Sequence, residues 1–264
     1  MTTTTEKKPI TVDLFSQTSY FLECKKDDTI LAKGTCFFIK REDKFYLITN
    51  WHNATGQNPL DKTYLGQYAI NPNKFVVKVF KNQQAMEWTD LEVMLVDSNN
   101  NKLWLEHPVY AEKVDVIAIE VNIPSDKLVL DIERFIEPFN EDTNVEIKDD
   151  VFVLGFPFGL KAGGNLPIWK RASIASEPVL NIDDLPKIYV DTATRPGMSG
   201  SPVIYKEKRP VIITDTNPNF ATKVSRHFMK FIGIYSGRIG SNDELSAQLG
   251  IVWKSEAIEE IIKG

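Results

Sequence analysis

Ser199 lies in TATRPGMSGSPVIY, residues 192–205, where glycines and a proline crowd two serines just ahead of an apolar β-branched run. A serine hydroxyl is a weak nucleophile near neutral pH. It needs a base to take its proton, and the base needs a group to orient it. The chain holds three histidines. His52, in LITNWHNATG, stands where an apolar run gives way to a loop, a place where functional residues sit on a rigid scaffold. His107 precedes Pro108 in a charged turn and His227 lies in a polar stretch, so both read as surface residues. Asp115 differs from the other acids because it opens the apolar run KVDVIAIEV. An unpaired acid there is costly, and the Nδ1–H of a histidine would relieve the cost. Each of these residues also has a plain structural reading. The Gly-Pro-Ser cluster can be a tight turn before a strand, His52 an ordinary strand-end residue and Asp115 a solvent-facing strand start.

The elements that must position these residues are mostly strands. SYFLEC, TCFFIK, FYLITN, KFVVKVF, LEVMLVD, KLWLEH and DVIAIEV fill the first half, β-branched or aromatic and separated by turn clusters. DSNNNK between two such runs reads as a hairpin turn. VFVLGF, RASIAS, KIYVDTA, SPVIYK, RPVIIT, FIGIYSG and LGIVW repeat the texture in the second half. Residues 123–149 read as a polar linker, with a short helical turn inside LVLDIERFIEPF. SEAIEEIIKG, residues 255–264, reads as a helix with Ser255 as N-cap, Glu256 at its positive end and an apolar stripe of Ile258, Ile261 and Ile262. The pattern predicts an all-β chain of two packed antiparallel six-stranded β-barrels closed by this helix. Residues 1–12 form a disordered tail, 13–122 the first barrel and 150–254 the second. A single large β-sandwich is the competing architecture, and periodicity does not separate the two.

Composition removes several classes of function. A net charge of −5 leaves no basic footprint for nucleic acid. The mildly basic stretch ATKVSRHFMK is short and reads as a solvated loop. No apolar run approaches the roughly 20 residues of a membrane helix, and MTTTTEKKPITVDLF lacks the apolar core of a signal peptide, so a cytoplasmic protein without membrane contact is expected. Two cysteines, Cys24 and Cys36, are too few for a disulfide framework, and both lie in apolar runs, so they are expected reduced and buried. No CxxC is present and the histidines are scattered, so no metal or other cofactor is expected.

At this point the motifs carry a resemblance. GTCFFI followed by FYLITNWHN, VDVIAIEV, VFVLGFPFGL, VDTATRPGMSGSPVIY, FIGIYSG and LGIVW before a last helix resemble, in this order, the chymotrypsin-like (trypsin-like) serine peptidases. The HtrA-type protease domain, expected here without its PDZ-like region, is the most similar branch. The SGSPV ending is also similar to glutamyl endopeptidases. The match runs from about residue 30 to the C-terminus. It implies an endopeptidase that binds polypeptide in extended conformation and works through an acyl-enzyme. It implies Ser199 as nucleophile, His52 as general base and then acid, and Asp115 as the residue that holds His52 in one tautomer. The backbone N–H groups of Gly197 and Ser199 would form the oxyanion hole. Ser201 is the rival nucleophile and Asp191 the next candidate for the acid.

The same alignment lines the primary pocket with Ala193, Thr194, Tyr235, Ser236 and Gly237, with Arg238 at its rim. No acid stands at its base, which argues against cleavage after Lys or Arg. Tyr235 replaces the histidine of glutamyl endopeptidases, so a small or medium apolar residue is the expected preference. Met198 stands where secreted trypsin-like enzymes carry an acid, so zymogen activation of that type is not expected. Two other readings compete. One is a catalytically silent double barrel that binds peptides by strand addition. The other is an esterase, whose nucleophile elbow expects alternating strands and helices rather than strand after strand.

Overall fold

The computed structural model describes residues 11–84, 86–136, 144–193, 195–214, 221–238 and 249–264, with the backbone alone for 211–214, 221–224 and 238. The expected tail thus lies almost wholly outside the described residues, as does Thr194. Of Arg238 only the backbone is described.

The first half folds from two tight hairpins. β1 (Ser19–Lys26) returns as β2 (Thr29–Arg41), which returns as β3 (Lys44–Thr49). Asp27 and Glu42 take left-handed φ of 52° and 51° to make these turns. After helix α1 (Trp51–Thr55) come β4 (Lys74–Asn82), β5 (Glu87–Met94) and β6 (Ile117–Val121). They pair antiparallel in the order β5-β4-β1-β2-β3-β6. The chain that leaves β5 closes the round. Leu103 N–H donates to Leu95 O at 2.9 Å, and Leu105 and Ala118 exchange bonds of 2.8 and 3.2 Å. KLWLEH is therefore a series of isolated bridges rather than the expected strand. Period-two alternation puts Tyr20, Leu22, Phe38, Leu47, Phe75 and Val77 in one core.

The second half closes fully, in the order β10-β11-β12-β9-β8-β7. Its strands are β7 (Asp150–Gly155), β8 (Ile168–Ile174), β9 (Lys187–Asp191), β10 (Ser201–Thr214), β11 (Ala221–Arg238) and β12 (Leu249–Lys254). SPVIYK and RPVIIT are one strand, not two, because β10 pairs with β11 from Ser201↔Tyr235 out to Thr214↔Ala221. The stretch 221–230, expected as a loop, is the return strand of that hairpin, and His227 is exposed on it.

β2 is buried on both faces between Gly34 and Ile39. Phe37 and Ile39, with Ile48 of β3, turn away from the first core and meet Leu154, Ile204, Phe231 and Ile234 of the second barrel. The helix α2 (Ser255–Lys263) covers this seam with Ala257, Ile258 and Ile261, which are 0–1% exposed. Its N-cap is Lys254, without a side-chain capping bond, because Ser255 is already the first helical residue. His107 is buried rather than at the surface. Its Nδ1 accepts the N–H of Val109 and of Tyr110, both at 3.2 Å, and its Nε2 lies 2.7 Å from Glu260 Oε2 on α2. Two backbone donors thus hold Nδ1, while Glu260 stands beside Nε2 without a described hydrogen bond. Cys24 and Cys36 are free and buried, and burial pushes both thiols up. Among the described residues no helix is long and apolar enough to cross a membrane.

Candidate active site

His52 rides on the short helix α1, directly after β3. Gly56, at φ 70°, ends that helix and donates its N–H to His52 O at 2.8 Å. The residue before the helix, Asn50, is fully buried, and its Nδ2 donates to the backbone carbonyl of Asp115 at 2.6 Å. The strand end that carries His52 is thus tied to the backbone of Asp115.

Asp115 is enclosed, with its side chain 4% exposed. Oδ1 accepts the His52 backbone N–H at 2.9 Å. Oδ2 faces His52 Nδ1 at 2.6 Å and accepts a second bond from Ser236 Oγ. A carboxylate only accepts, so Nδ1 carries the proton and Nε2 is left as the basic nitrogen. Ser236, expected as a pocket residue, donates its hydroxyl to this carboxylate. The alternative acid, Asp191, is exposed on β9 and far from this arrangement in its pairing, opposite Ser173 and Leu249.

Ser199 sits between Gly197 and Gly200, whose φ are 91° and 87°. The loop lies against the His52 helix, with Asn53 Nδ2 3.4 Å from Ser199 O. A Cβ on Gly237 would stand 3.8 Å from Ser199 Oγ, so β11 approaches the hydroxyl from the other side. No described hydrogen bond joins Ser199 Oγ to His52 Nε2. In unliganded sites that contact commonly tightens only when substrate arrives. Ser201 is 0% exposed and stands where a Cβ on Gly155 would meet its Oγ at 2.0 Å, which removes it from the cleft.

The N–H groups of Gly197 and Ser199, expected to form an oxyanion hole, are arranged by their neighbours. The Pro196 carbonyl accepts the Phe158 N–H at 2.7 Å. Across a planar trans peptide the Gly197 N–H therefore points the opposite way. Met198 O accepts from Ser201 N–H at 3.1 Å, which fixes the Ser199 N–H in the same manner. No described acceptor takes either N–H. Phe158 reaches its position only in a left-handed conformation, φ 55° and ψ 18°, an outlier for a bulky residue. It stands in the PFGL run, and Gly197 packs so closely on that run that a Cβ would lie 2.3 Å from Phe156 O.

Tyr235, expected as a pocket residue, is 1% exposed, and its ring fills the space that Gly250 leaves empty, where a Cβ would lie 2.4 Å from Cε2. Ala193 is exposed. Lys170 Nζ donates to its carbonyl and to Thr192 Oγ1 at 2.6 Å. Burial, and then the charge of Arg195, holds that ammonium below the usual lysine range. Beside Gly197 lies a mostly apolar recess of about 420 Å³, lined by Ile30, Leu31, Ala32, Phe158 and Pro196 and by one charged residue, Lys33. Among the described residues no group of His, Cys, Asp or Glu is placed to hold a metal.

Residue types and order had pointed to His52, Asp115 and Ser199. They had not pointed to Thr35, Asn50, Asn53 or Phe158. The pairs TN before WH and FG after GFP were the only local signals for them.

The family model for the trypsin-like peptidase domain matches residues 34–212. Among curated proteins none matches the sequence. The fold resembles the serine endoprotease from Yersinia pestis at 13% identity and a TM-score of 0.50, covering 94% of this chain and 62% of that one. The chain thus spans less than two thirds of that protein's length. It also resembles an inactive serine-to-alanine form of Rv3671c from M. tuberculosis H37Rv, at 16% identity and a TM-score of 0.47, covering 94% and 86% of the two chains.

Proposed function

The chain belongs to the trypsin-like peptidase family, and on that premise we propose that it is a serine endopeptidase that cleaves polypeptides through an acyl-enzyme on Ser199. The observation that carries this reading is the enclosed Asp115 carboxylate 2.6 Å from His52 Nδ1, with His52 on the helix against which the Ser199 loop lies. Ser199 Oγ attacks the scissile carbonyl carbon while its proton passes to His52 Nε2. The carbonyl electron pair moves onto oxygen, which sits among the N–H groups of Gly197 and Ser199. Collapse breaks the C–N bond, and Nε2 returns the proton to the leaving amine. Water then repeats the sequence on the ester. Asp115 stays a carboxylate throughout and stabilises the transient imidazolium.

The test is covalent. A fluorophosphonate should label Ser199 and spare Ser201, read by peptide mass mapping, because Ser201 is sealed off. Label on Ser201, or none on folded protein, overturns the assignment. Unlabelled protein that still binds peptide would be the silent double barrel instead.

The substrate reading rests on β11. β10 pairs with β11 only as far as Tyr235, so the edge of residues 236–238 beside Ser199 is open to an added strand on the acyl side. The family alignment places Tyr235 in the primary pocket, where a large buried ring would take up depth, and none of the residues it aligns there is an acid. This supports Ala or Val before the scissile bond and disfavours Phe or Arg. In matched peptides the kcat/KM ratio of Val over Phe should be about 10-fold or more, the scale on which a hydrophobic pocket discriminates size. Equal rates for Phe would show that Tyr235 does not limit the pocket.

A further inference from the structure

We propose that the Thr35 hydroxyl is the clamp that holds the oxyanion hole in its working shape, so that the first barrel sets the geometry of a loop in the second. The proposal rests on the triad reading above and adds a positioning residue to it. Thr35 is fully buried in β2. Its backbone N–H donates to Ser199 O at 2.9 Å and its Oγ1 donates to Gly197 O at 2.9 Å. Its own carbonyl accepts Thr49 Oγ1 at 2.9 Å, and Thr49 Oγ1 in turn accepts Asn53 Nδ2 at 2.9 Å.

Every peptide of the loop is therefore anchored on its carbonyl side. Phe158 holds the carbonyl of Pro196, Thr35 Oγ1 that of Gly197, Ser201 that of Met198 and the Thr35 N–H that of Ser199. Three of these anchors are backbone groups. Among the described bonds the Gly197 carbonyl alone has a side-chain anchor and no backbone one, whereas Ser199 O has the Thr35 N–H beside Asn53 Nδ2, and Gly197 offers the least resistance to rotation, a glycine at φ 91°. If the Gly197 carbonyl is released, rotation about the Gly197 ψ can carry the following peptides, with the Ser199 N–H, away from the Gly197 N–H, and the two donors no longer converge. The clamp matters little while substrate is bound as a ground-state amide. It matters when charge develops on the oxygen, so its loss should fall on kcat.

The experiment compares Thr35→Val, Thr35→Ala and Thr35→Ser with the wild type, on a peptide substrate and on a peptide aldehyde of the same sequence. Reversible addition of Ser199 Oγ to the aldehyde carbon places the former carbonyl oxygen in the hole. Val keeps the shape, Ala removes it and Ser keeps the hydroxyl, so a failure of Val to fold leaves the other two. Val and Ala should lower kcat by about 10–100-fold, below the full loss of one oxyanion donor, with KM within about twofold. They should weaken the aldehyde by a similar factor, and Ser should restore both. Val or Ala with kcat near wild type, or Ser without rescue, overturns the clamp while Ser199 labelling of the wild type leaves the triad standing. A folded wild type that takes no fluorophosphonate overturns the triad reading and the clamp together.

Discussion

Asp115→Asn should lower kcat by about 10⁴-fold, or roughly 5.5 kcal/mol, while the thermal midpoint stays nearly unchanged. The size of this effect follows from which way the new amide must face. Oδ1 of Asp115 accepts the His52 backbone N–H, and Oδ2 accepts Nδ1–H and the Ser236 hydroxyl. The backbone donor cannot change its role, so the Asn oxygen goes to it. The amide NH₂ then faces Nδ1 and Ser236. A hydroxyl can rotate to accept, but an imidazole can accept only by presenting its Nδ1 lone pair. The proton moves to Nε2 and points at Ser199, where a lone pair is needed. The opposite amide orientation would set NH₂ against N–H in a side chain 4% exposed, which costs a buried donor. All hydrogen bonds are kept in the inactive arrangement, hence the small change in stability. Steady-state kinetics and a thermal melt on the purified variant decide it. A loss below about tenfold would move the triad acid elsewhere, and a large fall in the melting midpoint would make Asp115 a structural residue first.

The same atoms show what a sequence can and cannot carry. Asp115 and His52 were legible because each sits at the border of an apolar run, where an acid or a histidine has no packing reason to be. The strands themselves were legible by alternation and turn chemistry, and DSNNNK does turn, with Asn100 at φ 62°. Ser236 was placed in the pocket by alignment alone, which gave no sign that its hydroxyl reaches a carboxylate 121 residues earlier. The bond between Thr35 and Gly197 joins residues 162 apart, and no local pattern announces it, although each residue lies in a motif of its own. Such contacts depend on how two barrels register against each other, which neither propensity nor periodicity encodes. His107 was misplaced for a related reason. Its acidic partner, Glu260, lies on the last helix, and a charged turn beside a proline looks solvated until that helix docks. The merging of SPVIYK and RPVIIT into β10 has a different cause. KEKR looks like a turn by composition, but pairing with β11 at Lys208↔His227 and Arg209↔Arg226 overrides it.

Gly200→Ala should destabilise the protein by about 3–5 kcal/mol and abolish labelling of Ser199, whereas Gly163→Ala should cost only about 1 kcal/mol and leave labelling intact. Both glycines have left-handed φ, 87° and 81°, so the conformational strain of adding a Cβ is similar. Their surroundings differ. A Cβ on Gly163 meets nothing within 4 Å. A Cβ on Gly200 would stand 1.9 Å from Thr35 O, 2.5 Å from Thr49 Oγ1 and 2.9 Å from Thr35 C. The first of these is a backbone atom held in place by the Thr49 hydroxyl, so no side-chain rotation relieves the contact. The loop and β2 would have to separate by more than an ångström. That movement breaks the Thr35 N–H bond to Ser199 O and displaces the hydroxyl, and misplacement of that size costs on the order of 100-fold in rate by itself. Thermal melts should show a drop of roughly 6–20 °C for Gly200→Ala, since each kcal/mol moves the midpoint by about 2–4 °C in a protein of this size. Equal melting shifts for the two variants would mean that φ alone, and not the close approach of the barrels, demands glycine behind the nucleophile. A Gly200→Ala protein that labels like the wild type would separate the nucleophile's position from the seam between the barrels.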